Sequence, residues 1–276
     1  MKEINSIVRF SKEVKIKADS SIYPKNDVRI DFLNLIGNLT HQFHLEKIAL
    51  ELSDFFVDGK LLCIDSEIFH NQINDFVELA KNDVLYKSFQ NSINRGLIID
   101  SWSSFEVCLS SICNEILSAE DKHNIQSKKY ESVLKCLKKY NLDGDTKNKL
   151  EKMLVEKEFW LTSTNNKFTK LFSMLKAKSK YRRNIDEDRV FLEFFGKLRN
   201  TMHSNFVYFG NNEEPYIFEN AEFKFDKGHL VVHERESDPF LILKLIVRLT
   251  EIYIEIISHF DDIEFIPYPD QNAEKY

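Results

Sequence analysis

An arginine and a histidine stand four residues apart in GKLRNTMHSN, residues 196–205, with Asn200 directly after the arginine. At that separation two side chains share one face of a helix. Arg199 stays charged and offers a planar fork of donors that fits phosphate oxygens. The imidazole of His203 is a side chain that can take a proton from a hydroxyl or return one to a leaving oxygen. RNA brings its own nucleophile, the 2′-hydroxyl. Its cleavage needs only a base, an acid and a group that stabilises the developing anion. One Arg and one His supply half of that set. A two-fold dimer would complete it, because an isologous interface repeats the same patch on both subunits. The plainer alternative is structural: Arg199 and Asn200 bonding the last carbonyls of a helix.

The helix that must carry this pair opens at IDEDRVF, with acids in its first turn where they suit the helix dipole, and runs to roughly Ser204. On a helical wheel Phe191, Phe194, Phe195, Leu198 and Met202 share one side. Leu192, Arg199 and His203 follow the flank of that stripe. The pattern predicts a half-buried pair at the edge of the core, with Gly196 leaving open space beside the guanidinium.

Other helices are expected over 28–56, 66–80 and 88–117. The last has a buried stripe of Ile93, Leu97, Trp102, Phe105, Leu109, Ile112 and Ile116. Residues 1–24 are ambiguous, because Val14 and Ile16 alternate with lysines as in a strand. Residues 120–183 read as shorter helices broken near 141–145 and 162–166. Beyond the motif, near 216–234, alternating runs Glu222–Phe225 and His229–His233 flank Asp226-Lys227-Gly228, a hairpin signal. Asp238 and Pro239 then suit the N-cap and first position of a final helix. That helix carries Lys244, Arg248, Glu251 and Glu255, which a lipid-spanning segment would rarely tolerate.

The 276 residues are 43% hydrophobic and include 23 Phe, enough for a substantial core, while Gly (7) and Pro (5) are scarce. The expected fold is mainly α: a helical bundle with a small β-hairpin between the motif helix and the C-terminal helix. A net charge of −6 argues against broad, non-specific nucleic-acid binding. A local site remains: residues 167–183 hold seven basic residues and no acidic one. Lys176, Lys178, Lys180, Arg182 and Arg183 form its end, an RNA-binding lip in one reading and a solvated face in the other. Four cysteines without a CxxC pair argue against a zinc site or a disulfide framework and for a cytoplasmic setting. His41 and His44 lack neighbouring ligands for a metal. His229 and His233 face one side of a hairpin strand. No GxGxxG, P-loop or GxSxG is present, so nucleotide hydrolysis and serine-esterase chemistry have no sequence support, and the expectation is of neither cofactor nor metal.

LRNTMHSN after an aromatic-apolar helix resembles the signature of the HEPN superfamily, small helical proteins of prokaryotic toxin–antitoxin, CRISPR and anti-phage systems. SWSSFEVCLSSICNEI is similar to that family's earlier core helix, where a Glu follows a bulky apolar residue as Glu106 follows Phe105. The Arg–His gap of Asn200, Thr201 and Met202 is shorter than is typical of the family. The resemblance implies that Arg199 and His203 are catalytic, that Asn200 positions them and that Glu106 supports them. It further implies metal-independent endoribonuclease activity in a homodimer, with an RNA substrate. The likeness covers roughly residues 88–260. The expected layout is a helical region over 1–87 packed on the bundle, a HEPN-like domain over 88–265 and a polar, Pro-containing flexible tail over 266–276. The alternative is a non-catalytic interaction or RNA-binding module serving a larger effector from the same operon.

Overall fold

A computed structural model of the chain describes residues 2–57, 83–129, 135, 144–146, 148–149, 162–178, 181–231 and 239–267. It is mainly α-helical with a small two-stranded antiparallel sheet. The helices are α1 (Lys2–Asp19), α2 (Val28–Val57), α3 (Asp83–Ile116), α4 (Ala119–Lys129), α5 (Thr164–Lys178), α6 (Ile185–Met202) and α7 (Pro239–Ile257). Strands β1 (Tyr216–Phe218) and β2 (Ala221–Phe223) fall between α6 and α7. No described helix is long and apolar enough to cross a membrane. The helix expected over 66–80 lies outside the described residues, as do Asp238 and His233.

The chain divides into two compact units. The first comprises Met1–Ser21, Leu33–Ser103 and Phe194–Glu251. In it the ambiguous N-terminal segment is helical. Ile7, Ser11, Val14 and Ala18 are buried at helical spacing. The Ser11 hydroxyl donates to the Gly37 carbonyl at 2.8 Å, joining α1 to α2. From α6, Phe195 stacks on Trp102 of α3 at 5.4 Å between ring centroids, and Phe194 stacks on Tyr216 of β1 at 4.0 Å. These offset aromatic pairs add about 0.5–1.5 kcal/mol each beyond their buried area.

The hairpin is not where the glycine signal placed it. β1 pairs with β2 in the register Tyr216↔Phe223, around a two-residue turn in which Glu219 takes a φ of 55°. Gly228 does adopt a positive φ, 79°. Its segment pairs elsewhere: Tyr208 N donates to His229 O at 2.9 Å and Val231 N to Phe206 O at 2.8 Å, with a bridge between Val207 and Leu230. Burial decides it. Phe223 and Phe225 are 1% and 2% exposed, and both rings meet Phe194.

The second unit comprises Ile22–Phe32, Ser104–Glu193 and Ile252–Tyr276. Its core holds Phe32, Phe105 and Tyr253 in mutual ring contact. Asp27 caps α2 by accepting from the Arg29 amide at 2.8 Å. The Arg29 guanidinium, wholly buried, donates to both Asp27 oxygens and to the carbonyls of Phe260 and Ile263. The Ile266 amide returns to Asp27 at 2.9 Å. Cys108 and Cys113 are free and buried, and burial pushes both thiols up to about 12.

Candidate functional site

The motif helix begins with a reciprocal cap. Asn184 accepts from the amides of Asp186 and Glu187 at 3.1 and 3.3 Å and donates its own amide to the Glu187 carboxylate at 2.7 Å. The other end is closed as firmly. Phe206 N donates to Thr201 O at 2.7 Å, the six-to-one bond of a Schellman-type turn, with Asn205 at φ 52°. Asparagine takes that left-handed position more readily than other side chains do. Phe206 follows it there, at φ 64°, an uncommon conformation for a bulky residue.

This capping turn fixes where the motif residues stand. Arg199 lies in the last turn of α6 and is half-buried. One Nη donates to Asn200 Oδ1 at 3.2 Å and the other to Ser103 Oγ of α3 at 3.3 Å. His203 sits in the turn just past Met202 and is exposed, as is Asn200. The fork is therefore oriented by Asn200 and Ser103 while the imidazole meets solvent. Gly196 does not open space beside the guanidinium. A Cβ built there would fall 2.9 Å from Trp102 Cζ2, so the glycine admits the indole.

Ser103 had no motif to announce it. Its signal is no more than a small polar residue in the Ser-Trp-Ser-Ser run of α3. Glu106 belongs to the second unit, where its Oε1 accepts from the Thr164 hydroxyl at 2.9 Å, linking α3 to the first turn of α5.

The basic stretch divides by burial. Lys167, 0% exposed, donates to Ser110 Oγ at 2.8 Å in the interior, and Lys170 pairs with Asp121 at 2.6 Å. Arg183 pairs with buried Asp188 at 2.9 Å, and the Tyr181 hydroxyl donates to the same carboxylate at 2.8 Å. Lys176 reaches Asp186 at 3.4 Å across the surface, and Lys178 lies 5.5 Å from the Phe260 ring. Lys178 and Arg182 are exposed, and Lys180 lies outside the described residues. His41 and His44 have ring centroids 6.3 Å apart. Among the described residues no group of three or more His, Cys, Asp and Glu is placed to hold a metal ion. His229 is exposed.

Chemically the arrangement offers an oriented guanidinium fork and an accessible imidazole on one helix end. Comparison with known protein families, with curated proteins and with solved structures finds no match for the chain.

Proposed function

We propose that the chain is a HEPN-like, metal-independent endoribonuclease of a prokaryotic toxin or anti-phage system, acting in the cytoplasm as a homodimer. One observation carries the reading: the Arg199 fork is oriented by Asn200 and Ser103 while His203 stands exposed on the capping turn. In the reaction, one subunit's His203 takes the proton of a 2′-hydroxyl, whose oxygen attacks the adjacent phosphorus. The P–O5′ bond breaks, and His203 of the second subunit gives the leaving oxygen its proton. Arg199 stabilises the charge gathering on the phosphoryl oxygens. The products are a 2′,3′-cyclic phosphate and a free 5′-hydroxyl.

The test compares wild type with His203→Ala and Arg199→Ala for RNA cleavage in EDTA. Loss of a general acid–base group costs about 10²- to 10⁴-fold and loss of a charge-stabilising donor about 10²- to 10³-fold, so each variant falls by at least about 10²-fold. Equal cleavage by all three proteins removes the enzymatic assignment.

A second reading is a non-catalytic interaction module that docks a larger effector. Phe209 and Ile217, 69% and 68% exposed, favour it. Solution mass separates the two, since a strict monomer lacks the second His203. An RNA-binding subunit without cleavage would lose affinity on neutralising Lys178 and Arg182 but not on His203→Ala.

A further inference from the structure

Within the first unit, α3, α6 and the hairpin border a cavity of about 240 Å³. Its floor is apolar: Ile98 and Phe223 are 1% exposed, Met202 2%. Leu230 and Asn91, both exposed, stand at its mouth. An apolar cavity of about 150 Å³ accepts a benzene ring. The larger volume here takes a ring with a short polar arm.

Two adjacent residues of α3 give that arm its chemistry. Asn94 is only 8% exposed, lines the cavity and has a buried Oδ1 that meets no donor among the described residues. An acceptor left in that state is destabilising, and a donor on a ligand would recover the loss. Arg95, half-buried, lines the same cavity and has no ion-pair partner among the described residues. Its planar fork matches a carboxylate. Because both side chains line one cavity of about 240 Å³, a ligand that meets both carries its donor and its anionic group close together. Phe206 also lines the cavity, held in its unusual left-handed conformation. Strained backbone of this kind gathers at ligand clamps.

We propose that this cavity binds a small aromatic acid carrying a hydrogen-bond donor on the carbon next to its carboxylate, an aryl-bearing 2-hydroxy acid being the simplest case. The ring fills the apolar floor, the carboxylate takes the Arg95 fork, and the hydroxyl donates to Asn94 Oδ1. The assignment is independent of the nuclease reading, since Asn94 and Arg95 have no part in it.

Calorimetric titration of the full chain tests it with three probes. 3-Phenyllactate, as separate enantiomers, has every feature; 3-phenylpropionate lacks the hydroxyl; 3-phenyl-1,2-propanediol lacks the carboxylate. Saturable one-site binding of one phenyllactate enantiomer is expected, with each truncated probe about tenfold weaker. Asn94→Leu should erase the preference over phenylpropionate, and Arg95→Gln the preference over the diol. The proposal is overturned if neither enantiomer binds saturably at millimolar concentration, or if all three probes bind alike. It is equally overturned if both variants keep the wild-type preferences. Should Asn94→Leu fail to fold, the probe series on wild type decides alone.

Discussion

At the residue scale, two glycines in long helices have opposite consequences. Gly196 lies against the indole of Trp102, which is 3% exposed and stacked on Phe195, so a methyl there must displace a packed ring. Overpacking of this kind costs about 1–3 kcal/mol, against about 1 kcal/mol of helix propensity gained. Gly196→Ala should therefore lower stability in urea by about 1 kcal/mol. A Cβ on Gly96 meets no described atom within 4 Å, so Gly96→Ala should raise stability by about 0.5–1 kcal/mol in the same measurement. The sequence made the two look alike, since each is one glycine in a helical pattern. What separates them is a contact between α3 and α6, about 94 residues apart along the chain. The Arg199–His203 spacing stands out because it is local, but the expected half-buried pair holds for Arg199 alone, since His203 lies past the helix end and is exposed. Ser103 as a support for Arg199 was not legible, because hydroxyls recur along α3 without a pattern.

Elements were legible where their period was strong. α2 and α6 follow the repeat of large apolar residues, and Pro239 marks the start of α7. α1 was obscured because the pair that looked strand-like, Val14 and Ile16, divides by environment: Val14 is 4% exposed and Ile16 65%. Its true stripe runs 7, 11, 14, 18 and includes a serine. The hairpin was misplaced for a related reason, because the glycine of Asp226-Lys227-Gly228 outweighed the burial of Phe223 and Phe225. The end of α6 yields a prediction of its own. Asn205 sits at φ 52°, where most L-residues are strained, so Asn205→Ala should cost about 1–2 kcal/mol in urea unfolding. Asn205→Gly should cost little, since glycine populates that region readily. Because His203 rides on this turn, the alanine variant should also perturb any activity that needs His203.

For the whole molecule, the most consequential feature of the second unit is the buried Asp27–Arg29 pair, which no local pattern foretold. Its partners lie at residues 260–266, far beyond the reach of any sequence window. Burial alone would raise the Asp27 carboxyl. The Arg29 hydrogen bonds, the Ile266 and Arg29 amides and the Arg29 charge outweigh burial and hold it below the ordinary carboxylate range. A depressed carboxylate contributes stability that is present above the unfolded value, about 4, and lost as the pH falls through the folded one. Thermal unfolding followed from pH 7 downward should show a loss below about pH 4 that is smaller in Asp27→Asn. Removing one partner outright, as in Arg29→Met, leaves an uncompensated buried charge and should cost about 3–5 kcal/mol at pH 7.

That clamp has a consequence for how the chain is made. Asp27 and Ile266 are 239 positions apart, so the start of α2 leaves the ribosome long before the carbonyls and amide that complete its polar shell. At about 5–20 residues per second the wait is roughly 12 to 48 s. During that interval a guanidinium and a carboxylate destined for the interior stay hydrated. The polar shell of Asp27 closes only once Ile266 has been made, after the helices between have had time to form.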